Sequence, residues 1–305
     1  AYEKMNPETK ILSPSFIILN DNELVISGIK IYGVNVGDEN EIKTAYLEAE
    51  DEARMLTAYL KTTLTAFKDC TYKSGPEAFF IPEYRHFEGR YRLTVSDILE
   101  NRNFEDKIAM CSGAVDAGKF INKSVEYIVI KPNVYSIPLG SIVPSNLENV
   151  LMTGSKASFT SLAATSAGSI PTRITLGEAA GLISAFSFIN ESSPAGLLKD
   201  SKQEMKALNG YLRFGGIRLE DFTEGLLIPG TKQKLSDHWA YPYVKTLAEY
   251  GLISGGPDND FKLGYKASQE LLTVLLRNTI IKMAPSRYNL SFDRNHLDDC
   301  IPQKH

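Results

Sequence analysis

The chain has 305 residues, of which 43% are hydrophobic and 23% charged, and a formal net charge of −4. That length allows one large domain or two smaller ones, and the composition is that of a folded globular protein. The charge excludes general electrostatic attraction to nucleic acid or an anionic membrane, and no apolar run approaches the ~20 residues that span a bilayer.

Residues 16–19 and 24–36 are extended apolar runs rich in β-branched residues, and Asn20-Asp21-Asn22 turns between them. Asn40 is placed to cap a helix of about twenty residues. Its apolar positions, Ala45, Leu47, Ala49, Ala53, Leu56, Tyr59, Leu60 and Leu64, recur mostly at threes and fours, as a core-facing stripe does. Residues 84–93 form a strand pattern with charged outward positions, and 95–100 a short helix capped near Thr94. Residues 125–131 (VEYIVIK) carry the strongest strand signal. Residues 135–144 continue extended, and 149–153 form a short buried strand. A helix over 172–190 has Gly177, Ala180, Gly181 and Ser184 on one face, which permits close approach to a sheet or a ligand. After a break at 192–196, a further helix is predicted over 199–211, followed by Gly215-Gly216.

In the last third, Asp237 is placed to cap a helix whose apolar face is Trp239, Val244, Leu247 and Ala248. Gly251 ends that helix in the left-handed conformation, and Ser268 is placed to cap the next one. Residues 257–260 form a turn. Asp258, Asn259 and Asp260 lack the twelve-residue spacing to a glutamate of a calcium loop, so a plain β-turn is the expectation.

Metal and thiol chemistry have little footing. Cys70, Cys111 and Cys300 show no C-x-x-C spacing, and His86, His238, His296 and His305 no H-x-x-x-H pair. No metal site is expected. The dinucleotide signature G-x-G-x-x-G is absent too; Gly28, Gly33 and Gly37 lie near strands at the wrong spacing.

The most informative stretch is 135–185, which runs strand, small-residue loop, then a helix opening on Pro171-Thr172. A helix start presents unpaired N–H groups and partial positive charge, which suits an electron-rich ligand edge. An ordinary βα unit with a small-residue turn has the same pattern. The residues themselves go further: Ile137-Pro138, Ser141, Val143-Pro144, Asn149-Val150-Leu151, Gly154, Pro171-Thr172, Leu176-Gly177 and Ala179-Ala180-Gly181. In that order and spacing the segment resembles the C-terminal flavin-contacting part of the xanthan-lyase-associated FAD-dependent oxidoreductases. The similarity extends upstream through 41–60, Gly89, Tyr91-Arg92-Leu93-Thr94, Asp97 and 103–109, covering about residues 15–220.

The resemblance implies an α+β fold, with a mixed or antiparallel substrate-domain sheet and a flavin-facing strand–helix unit over residues 1–225. It implies that Gly154, Ser155, Pro171, Thr172 and Gly177 face the cofactor. Glu83 and Arg85 are the substrate-side catalytic candidates, with a structural salt bridge as the alternative. It also implies FAD in a longer parent protein, bound weakly or not at all by this chain, whose phosphate-holding N-terminal FAD-binding half would be its partner. Without the Gly-rich turn the chain is expected to be inactive alone. The sequence departs from the family pattern at four places: Ser155 for an arginine, Ser161 for a histidine, 167–170 for a further arginine, and Asp116-Ala117-Gly118 for D-x-H.

Residues 236–276 resemble one S-layer homology repeat, through His238-Trp239-Ala240, Tyr243, Leu247, Gly251-Leu252-Ile253, Gly255, Phe261 and Glu270-Leu271. This implies a small helical module over 226–305, an extracellular or bacterial cell-surface location, and cell-wall polysaccharide as a partner. Trp239, the only tryptophan, is then the candidate for stacking on sugar, with the buried hub of the module as its alternative. The competing function is a non-catalytic wall-binding scaffold that keeps the oxidoreductase-like fold.

Overall fold

The computed structural model describes residue 2 and residues 11–81, 85–120, 127–199 and 202–283. Glu83, His296, Cys300 and His305 lie outside these. The chain divides into two units, Ala1–Tyr84 with Phe120–Val125, and Arg85–Lys119 with Glu126–His305.

The first unit holds a hairpin and a long helix. Strand β1 (Ile11–Asn20) pairs antiparallel with β2 (Glu23–Ile29), from Ile11 opposite Ile29 to Asn20 opposite Glu23. The Asn20 side chain accepts the Asn22 amide at 2.9 Å, which closes the expected turn. β2 stops at Ile29 rather than running to 36; Gly28 and then Gly33 take positive φ, which breaks the pleat. Helix α1 (Glu39–Thr63) is capped by Asp38, whose carboxylate accepts the Asn40 amide at 2.8 Å, so the cap lies two residues before the expected Asn40. It buries the stripe Ala45, Glu52, Leu56 and Leu60. Glu52 accepts the Tyr2 hydroxyl at 3.1 Å.

The second unit carries the dense core. Helix α2 (Val95–Leu99) starts with a capping box in which Thr94 and Asp97 bond each other's backbone amides. Strand β3 (Lys107–Cys111) pairs with β6 (Tyr135–Pro138), and β4 (Val115–Asp116) with β5 (Ile128–Ile130), both antiparallel. Then come α3 (Ser161–Ala167), α4 (Ile170–Ile189), α5 (Lys202–Phe214), α6 (Tyr241–Glu249) and α7 (Gln269–Met283). The fold is therefore mixed α and β, with seven helices and three two-stranded antiparallel sheets among the described residues.

Two predicted strands are not strands. Residues 85–93 make isolated bridges from Gly89 to Pro144 and from Leu93 to Phe159, wedged between two segments instead of laddered to one. A Cβ on Gly89 would lie 2.6 Å from the Ser158 Cβ, so this close approach requires glycine. Residues 149–153 are irregular, attached by the bond from the Met152 amide to the Ile142 carbonyl at 2.8 Å. The helix predicted over 199–211 begins at Lys202 and runs on to Phe214. Asp237 lies in a short 3-10 turn and does not cap α6; instead His238 Nδ1 accepts the Ala240 amide at 3.2 Å.

Helix α4 is the central element. Thr172, Leu176, Ala179, Ile183 and Ser187 repeat at threes and fours on its buried face, which packs on β3 and α5. Burying Leu176 or Ile183 contributes about 1.5–3 kcal/mol each.

Candidate functional site

The start of α4 is open. Its cap residue, Ser169, makes no side-chain bond to the helix amides, and Ile170 and Pro171 form the first turn. Ile170 is 73% exposed and Ile174 60% exposed. Pro171, Gly177, Gly181 and Ser184 are exposed too, and Phe188 at the far end is 86% exposed. A Cβ added at Gly177 or Gly181 would meet no atom within 4 Å. One side of α4 is thus core and the other is a bare apolar surface with a small-residue centre.

The turn Gly154–Lys156 packs against α4. Gly154 takes φ +72°, a conformation that favours glycine, and the space where its Cβ would be is open. Of the expected cofactor-facing residues, Gly154 and Ser155 lie in this turn and Pro171 and Gly177 are exposed on α4, whereas Thr172 is on the buried face of the helix and points into the core. Arg85 is exposed and belongs to the irregular segment preceding Gly89. Glu83 lies outside the described residues.

Behind the helix start is a buried polar chain with no sequence signature. Thr172 Oγ1 donates to Cys111 Sγ at 3.4 Å and lies 2.8 Å from Ser169 Oγ. The Gly113 amide donates to the same sulfur at 3.5 Å. The Tyr135 hydroxyl lies 2.7 Å from Ser166 Oγ, which donates to the Gly113 carbonyl at 2.5 Å. Burial pushes the Tyr135 hydroxyl well above its ordinary pKa, so it stays protonated. These bonds fix the first turn of α4 from inside. The pieces come from β3, β6 and the adjoining helices α3 and α4, three stretches separated in sequence.

Two of the positions read from the sequence as departures from the family pattern are placed as follows. Asp116 Oδ1 accepts the amides of Gly118 at 2.8 Å and Tyr127 at 3.0 Å, which holds a turn together. Ser161 opens α3 as an exposed residue.

In the second candidate region, Trp239 is 77% exposed, not the hub of a helical unit. The hub residues are Leu235, Val244 and Ala248, which join the main core. The Trp239 ring lies 6.4 Å from Tyr243, edge to face, and 5.7 Å from His238. The expected turn at 257–260 occupies Gly256–Asn259, and Gly251 ends α6 at φ +63°. Asn259 spends its side chain on the Lys131 backbone, and the Asp260 carboxylate accepts the Lys262 amide at 2.9 Å. Among the described residues no group of three or more His, Cys, Asp or Glu side chains could hold a metal ion. No described helix is long and apolar enough to cross a membrane.

Comparison with curated proteins and with solved structures finds no match. Two family models do match. The S-layer homology domain covers residues 235–262 and marks a module associated with the cell wall and cell surface. The FAD dependent oxidoreductase model covers residues 6–208, more than half of the 305. By that match the chain belongs to the FAD dependent oxidoreductase family.

Proposed function

We propose that this chain supplies the substrate side and the last flavin-facing elements of a surface-anchored, FAD-dependent oxidoreductase of the xanthan-lyase-associated type. In this reading a separate dinucleotide-binding half covers the bare face of α4. The observation that carries the proposal is the two-sidedness of that helix: a fully packed inner face, and an outer face of Ile170, Ile174, Gly177, Gly181 and Phe188 left in water. An apolar surface rimmed by polar residues marks an interaction site. Glycines four apart with open Cβ space admit another backbone at close range.

The residues fit only part of FAD. The uncapped amides at the start of α4 and the open space at Gly154 and Gly177 suit the carbonyl edge of an isoalloxazine ring. Nothing in the 305 residues provides a glycine-rich turn for the pyrophosphate. We therefore derive no catalytic step through the flavin in this chain, and Glu83 and Arg85 stay candidates on the substrate side. As stretches of sequence, 1–225 for the oxidoreductase part and 226–305 for the S-layer homology part go with this reading, without implying that the two fold separately.

Equilibrium titration of the purified chain with FAD tests it. Weak binding or none is expected for the chain alone, and tight saturable binding is expected when a dinucleotide-binding half is supplied. Tight stoichiometric binding by the chain alone would refute it.

The exposed Trp239–Tyr243 pair favours a second reading, a wall-binding scaffold without catalysis. An exposed aromatic pair offers flat apolar surface for a sugar ring. Co-sedimentation with purified cell walls, lost in Trp239→Ala, supports it; sedimentation unchanged by that substitution counts against it.

A further inference from the structure

The segment matched as S-layer homology is stitched into the second unit along its whole length. The Glu249 carboxylate, at the end of α6, accepts the amides of Val95 at 3.4 Å and Ser96 at 2.9 Å, and the Ser96 hydroxyl at 3.0 Å. It thereby caps the start of α2. Thr160, which precedes α3, donates its hydroxyl to the same carboxylate at 3.5 Å. At the other end of α2, Glu100 accepts the Tyr241 hydroxyl at 2.5 Å and Lys245 Nζ at 2.7 Å. One helix of the module thus grips both ends of α2.

The chain after α6 continues the join. A Cβ on Gly251 would lie 3.1 Å from the Leu162 side chain and 3.5 Å from Ala117, so the turn runs against α3. The Gly255 amide donates to the Val129 carbonyl at 2.9 Å and the Gly256 amide to Ile128 at 3.1 Å, which satisfies the free edge of β5. Asn259 then takes the Lys131 amide and donates to the Lys131 carbonyl, both at 2.8 Å. Leu235, Val244 and Ala248 share one core with Ile98, Ile130 and Leu162. A module that folded by itself on a linker would close its own helix caps and its own core.

We propose that residues 235–262 are an integral folding element of the unit that holds α4, not a separable anchor. The segment completes α2, α3 and β5, and the oxidoreductase-like core does not persist without it. Its exposed edge at Trp239 and Tyr243 is then rigidly joined to that core.

The test uses the full chain with Glu249→Gln and, separately, Asn259→Gly, which keeps the left-handed backbone at that position and deletes both side-chain bonds. Thermal unfolding and amide hydrogen exchange are read on each. One cooperative transition is expected for the second unit, lowered in each variant by about 2–4 °C. Amide protection should fall on β3 and β6, far from either substitution in sequence. Loss of protection in residues 235–262 in a transition separate from that of the rest of the second unit would overturn the proposal, as would variants that loosen only residues 235–262 while β3 and β6 keep their protection. Because neither substitution removes core volume, loss of folding is not the expected outcome; a chain that fails to fold would support integration only if Trp239→Ala, an exposed change in the same segment, folds normally, and would otherwise count against it.

Discussion

Helices α4 and α6 begin alike and end in opposite situations. Each has a proline in its first turn and no side-chain cap on its first amides. α6 is committed: Tyr241 and Lys245 bind Glu100, Glu249 caps α2, and Val244 and Ala248 are buried. α4 is committed on one side only and leaves Ile170, Ile174 and Phe188 in water. The same local signal therefore starts a helix that completes a core and a helix that presents a surface. What separates them is long-range partnership, which no window of sequence contains.

The largest effect should come from breaking the committed side of α4. Leu176→Ala removes a fully buried side chain and should lower unfolding stability by about 2–5 kcal/mol in denaturant titration. Next is Asp97→Ala, which deletes the capping box and strips a buried carboxylate from Tyr91 and Arg102; a loss of about 1–2 kcal/mol is expected. On the bare side of α4 the sign should reverse. Gly177→Ala fills open space in a helix interior and should stabilise the isolated chain by about 0.5–1 kcal/mol, while weakening assembly with a dinucleotide-binding half.

The smallest effect concerns α6 and acid. Burial raises the pKa of Glu100, but the bonds from Lys245 and Tyr241 outweigh it, so its carboxyl sits below the usual glutamate value. A lowered folded pKa means stability that is present above the unfolded value and lost as pH falls through the folded one. Stability should thus decline in acid below the ordinary carboxylate range, and Glu100→Gln should flatten that decline by about 0.2–1 kcal/mol. Urea midpoints measured across acid pH for both proteins check this.

Much of α4 was legible in the sequence because its signals are local: Pro171 in the first turn, apolar spacing at Leu176, Ala179 and Ile183, and small residues on one face. The T-x-x-D spacing of Thr94 and Asp97 was readable for the same reason. The strand pattern over 85–93 misled, because its alternation reflects two neighbours reached through Gly89 rather than one ladder. Cys111, Tyr135, Ser166 and Thr172 meet behind the helix start only through tertiary folding, and nothing in their spacing announces it. Trp239 fitted a hub by helical phase with Val244 and Ala248, yet it precedes α6 and lies outside its periodicity.

The visible absorbance of the purified, unboiled chain asks most plainly whether the chain can hold flavin unaided. We predict a colourless protein that turns yellow in stoichiometric amount only once a Gly-rich nucleotide-binding partner is added. A yellow preparation carrying one flavin per chain, with no such partner present, would contradict the account.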